Sequence, residues 1–305
     1  MKFGGHETFF LRPGWLSKGL FLVHAESNVI WNSDEASDAM GVGRNMSKSI
    51  GWWLSLAGLI HRPARGEALC LTPFGSAILE NDPYFSEIAT WWFMHLSLTL
   101  KDNADVFTWF FQHSKEDRFT REILQGEIVR FLAQRSAKVP AVKTLQRDVS
   151  VLLQTYSRPI PAPIESDPED NLDCPFRHLG LLVHRADIGD FERRVPAAKV
   201  PASVIGAALA QFDNSKSTDG SFDIPIDYIG PVRRIGKVFG CNSEAMAEKI
   251  LHAETALPNG LLRIRHLAGQ RVATVQRMCF ASWVKLHFSE SEQKLMRESE
   301  TDASK

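Results

Sequence analysis

The chain has 305 residues, a formal net charge of −1 and 44% hydrophobic residues, with 19 Phe and 8 Trp. That is more chain than one hydrophobic core usually serves and enough large apolar side chain to exclude general disorder, but too little net charge to coat nucleic acid through bulk attraction. No stretch reaches the roughly 18 apolar residues of a membrane span and the start MKFGGHETFF lacks an apolar signal core, so a cytoplasmic protein with no membrane partner is expected. Cys70, Cys174, Cys241 and Cys279 lie too far apart for a zinc knuckle or a disulfide framework, and buried thiols are expected.

In chain order, Ser33 followed by Asp34 and Glu35 predicts an N-cap with acids in the first turn of a short helix ended by Gly41 or Gly43. From Asn45 to Leu59, Met46, Ile50, Trp53, Leu54 and Ala57 recur at helical spacing, with Arg44, Lys48 and Ser49 turned away from them. Leu59 to His61, the turn Pro63-Ala64-Arg65-Gly66 and Ala68 to Leu71 predict a hairpin, after which Thr72 caps a helix with Pro73 at its first position. Helix, turn, helix and basic hairpin is the order of a winged helix. Such units either contact DNA or pack against proteins, and sequence leaves both open. Two aromatic stretches, 84 to 100 and 104 to 114, predict core helices, and two more helices are expected from Thr120 to Arg135 and from Pro140 to Tyr156.

Prolines at 159, 161, 163 and 168 among acids predict a linker. The expected organisation is thus a winged-helix-like domain with a helical extension over 1–157, a linker over 158–173, an α+β domain over 174–290 and a frayed tail over 291–305. In the second domain, a helix is predicted from about Pro201 to Phe212. Ser243 is expected to cap a helix to Ala256, which leads through Leu261 to His266 and a turn at Ala268-Gly269 into Val272 to Val275. This is a second helix followed by a basic hairpin. The fold class expected is mainly α with minor β.

Charge is uneven: residues 41 to 66 carry Arg44, Lys48, Arg62 and Arg65 without an acid, and residues 258 to 277 carry Arg263, Arg265, Arg271 and Arg277 without one. A DNA contact, if made, is therefore local. Arg44 and Lys48 on the second helix can hold phosphates with Asn45 reading a base, Arg62 and Arg65 can follow the backbone from the wing, and Arg263, Arg265 and Arg271 offer a similar surface in the second unit. The N-terminal block from Phe3 to Leu16 is aromatic and polar where small residues are usual. One reading makes His6 a general acid or base, Glu7 a base or metal ligand and Arg12 a phosphate clamp; the other pairs Glu7 with Arg12 while the aromatics pack. Asp34, Glu35 and Asp38, or Asp167, Glu169 and Asp170, are further acidic clusters, explained equally by a helix dipole and a solvated loop. No Walker loop, HExxH, GxSxG or dinucleotide fingerprint occurs.

Several ordered blocks together carry a resemblance. They are Gly5-His6-Glu7-Thr8-Phe9 with Arg12 and Trp15-Leu16, Gly41-Val42-Gly43-Arg44-Asn45-Met46 with Lys48-Ser49-Ile50, Leu71-Thr72-Pro73-Phe74-Gly75, Asp82-Pro83-Tyr84, Phe119-Thr120-Arg121-Glu122, Arg147-Asp148-Val149, Leu152-Leu153 and Thr155-Tyr156. The chain resembles the SspB-like DNA nickase family of bacterial DNA phosphorothioation systems, departing from its pattern at Gly4, Phe9 and Pro13. The resemblance implies a magnesium-dependent DNA nick that allows sulfur to enter the backbone as a mark of self against phage. It also implies a cysteine desulfurase, an ATPase and a sulfur-transfer enzyme as partners. A non-catalytic DNA-binding adaptor is the alternative, and a protein-binding scaffold a third. A homodimer would place paired basic surfaces on one face.

Overall fold

The computed structural model describes residues 1–26, 28–62, 68–100, 105–160, 173–196, 199–213, 220–226, 229, 235–258, 260–267 and 269–290. The turn containing Arg65, the acids at 167, 169 and 170, Ala268 of the second turn and the tail from 291 therefore lie outside the described residues. The protein is mainly α with some β. Helices α1 (Trp15–Ala25), α2 (Asp34–Met40) and α3 (Arg44–Leu56) open the chain and a hairpin of β1 (Ile60–His61) and β2 (Cys70–Leu71) follows. Ser33 caps α2 through Ala36 N–H and Gly41 ends it at φ 62, as the residue types predict. Thr72 caps α4 (Pro73–Asn81) in the same way, and its hydroxyl also donates to the Gly58 carbonyl at 2.6 Å. Only glycine fits at Gly75, since a Cβ there would lie 2.0 Å from the Leu59 carbonyl oxygen.

At the centre stands α5 (Ile88–Thr99), whose residues are buried almost all round, as expected of a helix with no polar face. Each aromatic side chain on it meets a different neighbour. Trp91 packs on Phe176, Trp92 on Phe239, and Phe93 on Phe280, with ring centroids 5.2 to 5.8 Å apart. Around it lie α6 (Val106–His113), α7 (Arg121–Ala133) and α8 (Val142–Tyr156). Helix α8 begins two residues after Pro140, so that proline precedes the helix instead of opening it.

Residues 158–160 were expected in the linker but continue from Ser157 as strand β4 (Ser157–Ile160), which pairs in parallel with β5 (Leu182–Arg185). β5 pairs with β6 (Asp190–Arg193), and β6 with β3 (Arg118–Phe119). The prolines misled because β4 is the edge strand, where a missing N–H costs no ladder bond. One four-stranded sheet thus takes strands from both sides of the segment expected to separate two domains.

The C-terminal part runs α9 (Ala202–Ala210), β7 (Ser221–Pro225), α10 (Ile235–Val238), α11 (Ser243–Ala256), β8 (Leu262–Leu267) and β9 (Gln270–Gln276), with β9 central between β7 and β8. The α11 cap is Asn242, one residue ahead of the predicted Ser243. A last helix, α12, is described over 280–290. Of the cysteines expected to be buried, Cys174 and Cys241 are, whereas Cys70 lies on the exposed face of a two-residue strand and Cys279 ahead of α12, both exposed.

His95 on α5 joins the parts. Its Nε2–H donates to the Val238 carbonyl at 2.8 Å, so Nδ1 accepts from the Tyr156 hydroxyl, also at 2.8 Å. Burial holds its pKa down to about 4, against the pull of the Val238 carbonyl. Above pH ~6.5 the ring is neutral in both folded and unfolded chains and its contribution is fully present. Between about 6.5 and 4 the unfolded chain takes up a proton that the folded one refuses, so stability falls as pH drops, by about 3 kcal/mol from this group. Urea unfolding at pH 7 and pH 4.5 should show that loss, and His95→Gln should flatten it; equal slopes in both proteins would remove His95 as the cause.

Candidate active site

The N-terminal block folds back on the body of the protein. Gly4, Gly5, Glu7 and Thr8 all take positive φ, at 77°, 94°, 47° and 69°. Glycine does this freely, but Glu7 and Thr8 do it against an intrinsic cost of about 1–2 kcal/mol each, so surrounding contacts must hold the loop. Those contacts come from two helices. From α8, buried Asp148 accepts the Gly4 N–H on both carboxylate oxygens at 3.0 Å and a short hydrogen bond from His6 Nε2. From α3, buried Ser49 donates to the His6 carbonyl at 3.0 Å and Trp52 stands edge-on to the imidazole. Trp52 lies so close to Gly5 that a Cβ there would fall 2.4 Å from the indole ring.

The tautomer of His6 follows from its partners. A backbone N–H can only donate, and Thr8 N lies 3.0 Å from Nδ1, so Nδ1 accepts and Nε2 carries the proton given to Asp148. His6 is 3% exposed and both ring nitrogens are engaged, so the imidazole moves a proton only when one contact opens. Glu7, by contrast, is exposed. A pocket of about 410 Å³ opens over this loop, walled by Gly4 to Thr8 on one side and by Thr144, Arg147 and Asp148 of α8 on the other. Arg12 is not in that wall. Its guanidinium lies over the rings of Phe9 and Trp15, 5.6 and 5.7 Å from their centroids, and no ion pair joins it to Glu7 among the described residues.

The structure thus brings His6 and Glu7 to one pocket and leaves Arg12 beside it. It adds Asp148, Arg147 and Thr144, none of them expected as site residues, although Arg147-Asp148 stand in one of the blocks that carry the family resemblance. The available signal was Asp148 itself, a carboxylate in helical phase with Leu145, Val149 and Leu152, because a charge on the buried side of a helix needs a partner. Ser49 was expected to turn away from the core and instead faces inward, since His6 supplies it with an acceptor.

On α3, Arg44 and Asn45 are exposed and Lys48 half-buried. Arg44 donates from both Nε and a terminal nitrogen to Asp34, which holds the Asp34 carboxyl below its ordinary range and Arg44 above its own. Such an exposed pair adds little to stability. Asp34 and Glu35 therefore serve the α2 terminus and Arg44. Arg62 is exposed beside β1. In the C-terminal hairpin the register sets Arg263 and Arg265 on one face and Arg271, opposite His266, on the other. Arg265 also bonds to Thr274 and Asp223. Helix α11 exposes Glu244 and Glu248, so this unit presents acids where the N-terminal unit presents bases.

Among the described residues no three His, Cys, Asp or Glu side chains converge as a protein-built metal cage requires. At the pocket Asp148 is taken up by Gly4 and His6 and Arg147 adds positive charge, which leaves Glu7 as the exposed carboxylate. One such carboxylate suits magnesium in the way magnesium is commonly held, through one or two carboxylates with water and phosphate completing the shell.

A mainly helical protein whose N-terminal loop is clamped between two helices over a polar pocket is the class that fold and site define. The chain belongs to the DUF4007 family, described as a protein of unknown function, whose model matches residues 3–286. Its fold is similar to a crystal structure of magnesium ion-bound SspB, with a TM-score of 0.79 and 23% identity over 95% of this chain and 87% of that one. A second SspB crystal structure matches with a TM-score of 0.77 and 22% identity over the same shares. No curated protein matches the sequence significantly.

Asp148→Ala would leave the His6 Nε2–H and the Gly4 N–H without their acceptor. A loss of about 3 kcal/mol is expected on breaking a buried pair of this kind. Amide exchange at Thr8 and Phe9 should quicken in step, and an unchanged urea midpoint with unchanged exchange would show that Asp148 does not hold the loop.

Proposed function

We propose that this protein is a DNA-binding nicking endonuclease of a bacterial phosphorothioate modification system acting against phage. The observation that carries the reading is the pocket at the N-terminal loop, where strained Glu7, the buried His6-Asp148 pair and Arg147 meet at a loop gripped between α3 and α8. Strained backbone held by a dedicated hydrogen-bond network is a common mark of a working site. The order of α1, α2, α3 and the β1–β2 hairpin supports reading the first unit as a winged helix. In it Arg44, Asn45 and Lys48 face the duplex, Arg62 beside β1 follows the backbone, and Arg65, outside the described residues, is assigned to the same wing. The second unit also sets a helix, α11, before a hairpin, β8–β9, and its Arg263, Arg265 and Arg271 are assigned to phosphate contacts, since its acidic helix is unsuited to reading bases.

In this reading Arg147 sets positive charge against the phosphoryl oxygens, and Glu7 takes the proton of the attacking water. His6, held in one tautomer by Thr8 and Asp148, positions the loop that carries Glu7. Arg12 stiffens the same loop through Phe9 and Trp15. Magnesium, bound at Glu7, would supply Lewis-acid stabilisation of charge at the phosphate. The system supplies the partners: a cysteine desulfurase, an ATPase and a sulfur-transfer enzyme, all cytoplasmic. A homodimer would offer two basic faces to one duplex.

The second reading is a non-catalytic adaptor that delivers DNA to those enzymes. It is favoured by the engagement of both His6 nitrogens and by the absence of a three-residue metal cluster among the described residues. A supercoiled plasmid incubated with the protein and magnesium should convert to open circle, excess EDTA should stop this, and Glu7→Gln should lower the rate at least 100-fold on the order expected for a lost general base. Binding that shifts the plasmid without relaxing it would replace nickase by adaptor.

A further inference from the structure

The pocket over the N-terminal loop does not end at Arg147. A second groove of about 410 Å³ begins on the other side of that residue, lined from α8 by Lys143, Gln146, Arg147 and Ser150 and from the first turns of α7 by Arg121, Glu122 and Gln125. The α8 residues recur at spacings of three and four, so they form one stripe along the helix, adjacent to the buried side that carries Asp148. Lys143, Gln146 and Arg147 are exposed.

The charge in this groove is one-sided. Arg121, Lys143 and Arg147 face a single carboxylate, Glu122, which is already taken up by the Thr120 hydroxyl at 2.6 Å and held below its ordinary range by that bond. Among the described residues neither Lys143 nor Arg147 forms an ion pair, in contrast to Arg44, Arg185, Arg265 and Arg277, each of which has an aspartate partner. Arg121 is propped over the Phe191 ring, 5.2 Å from its centroid. The remaining lining side chains, Gln125, Gln146 and Ser150, are uncharged hydrogen-bonding groups. Unpaired cations spaced along one stripe with neutral donors between them suit a chain of phosphates better than one compact anion or an acidic peptide that would need a deep seat.

We infer that this groove is the track of the DNA strand that enters the pocket, with Arg147 shared between the two and Lys143 and Arg121 holding successive phosphates. The inference rests on the DNA-binding reading above and adds to it a second contact surface, on α7 and α8, independent of the α3 helix. It makes Arg147 a residue that touches the substrate strand and Lys143 and Arg121 residues that fix where that strand lies.

The test is fluorescence anisotropy of a labelled 30-base-pair duplex titrated with full-length protein at salt concentrations from 50 to 200 mM. Each lost phosphate contact should make the log–log salt slope shallower by about 0.9. Lys143→Ala with Arg147→Ala should therefore reduce the slope by about 1.8, so that the wild type loses about tenfold more affinity than the variant across that range. Arg147→Lys should retain most of the slope. Both side chains are exposed, and a circular dichroism melt checks that the fold is kept. Equal slopes and affinities for wild type and double variant overturn the groove while leaving DNA binding by α3 intact, provided Arg44→Glu with Lys48→Glu abolishes binding. A wild type that binds no duplex at 50 mM salt overturns both.

Discussion

A helix with no polar face must be covered on every side, and α5 imposes that requirement on the whole protein. Ten of its residues, from Ala89 to Thr99, are buried. Burying a large apolar side chain is worth about 1.5–3 kcal/mol, so the three successive aromatics at 91 to 93 form a strong local organising centre. What covers them comes from distant stretches of chain: Phe176 before the four-stranded sheet, Phe239 beside α10 and Phe280 at the start of α12. The polar groups on the same helix are satisfied by those same neighbours, His95 reaching both Tyr156 and the Val238 carbonyl. The N-terminal helices and the C-terminal helices with their three-stranded sheet are therefore two flanks of one core.

The site depends on that arrangement. Helices α3 and α8 are fixed against the centre by their apolar faces, which leaves Ser49 and Trp52 on one and Asp148 on the other to grip the N-terminal loop between them. A loop with two non-glycine residues at positive φ persists only where neighbours hold it, and here the hold is a buried carboxylate with three hydrogen bonds from two residues. Electrostatics then separates roles within the loop: His6 is consumed by holding it, while Glu7 is left exposed to solvent and to whatever enters the pocket. Among the described residues Lys143 and Arg147 on α8 have no ion-pair partner, whereas Arg44 on α3 is paired with Asp34 on α2.

Much of the local structure was legible in the residues. The caps at Ser33 and Thr72, the stop at Gly41 and the buried stripe of α3 follow from rules that act within a few residues, and the structure places them accordingly. Reading failed where the decisive neighbour was far away. Pro159 looked like a linker residue because its position at a sheet edge depends on a strand 25 residues later. Ser49 looked like surface because the carbonyl it serves belongs to residue 6. Arg263, Arg265 and Arg271 looked like one basic patch, and only the strand register splits them between two faces.

Sequence by itself determined the helical class, most helix boundaries, the aromatic centre and the presence of an unusual polar block around His6 and Glu7, because hydrophobic periodicity and capping chemistry are written in short windows. Only the tertiary structure decided that Asp148 is the partner of His6, that Arg12 stacks on aromatic rings instead of meeting Glu7, and that Arg147 and Lys143 border the same cavity system. His6 and Asp148 stand 142 residues apart, Arg12 had neighbours of either kind within reach, and the cavity beside α8 exists only once α7 and the N-terminal loop lie against that helix; each outcome is set by how apolar surfaces pack, which no local pattern specifies.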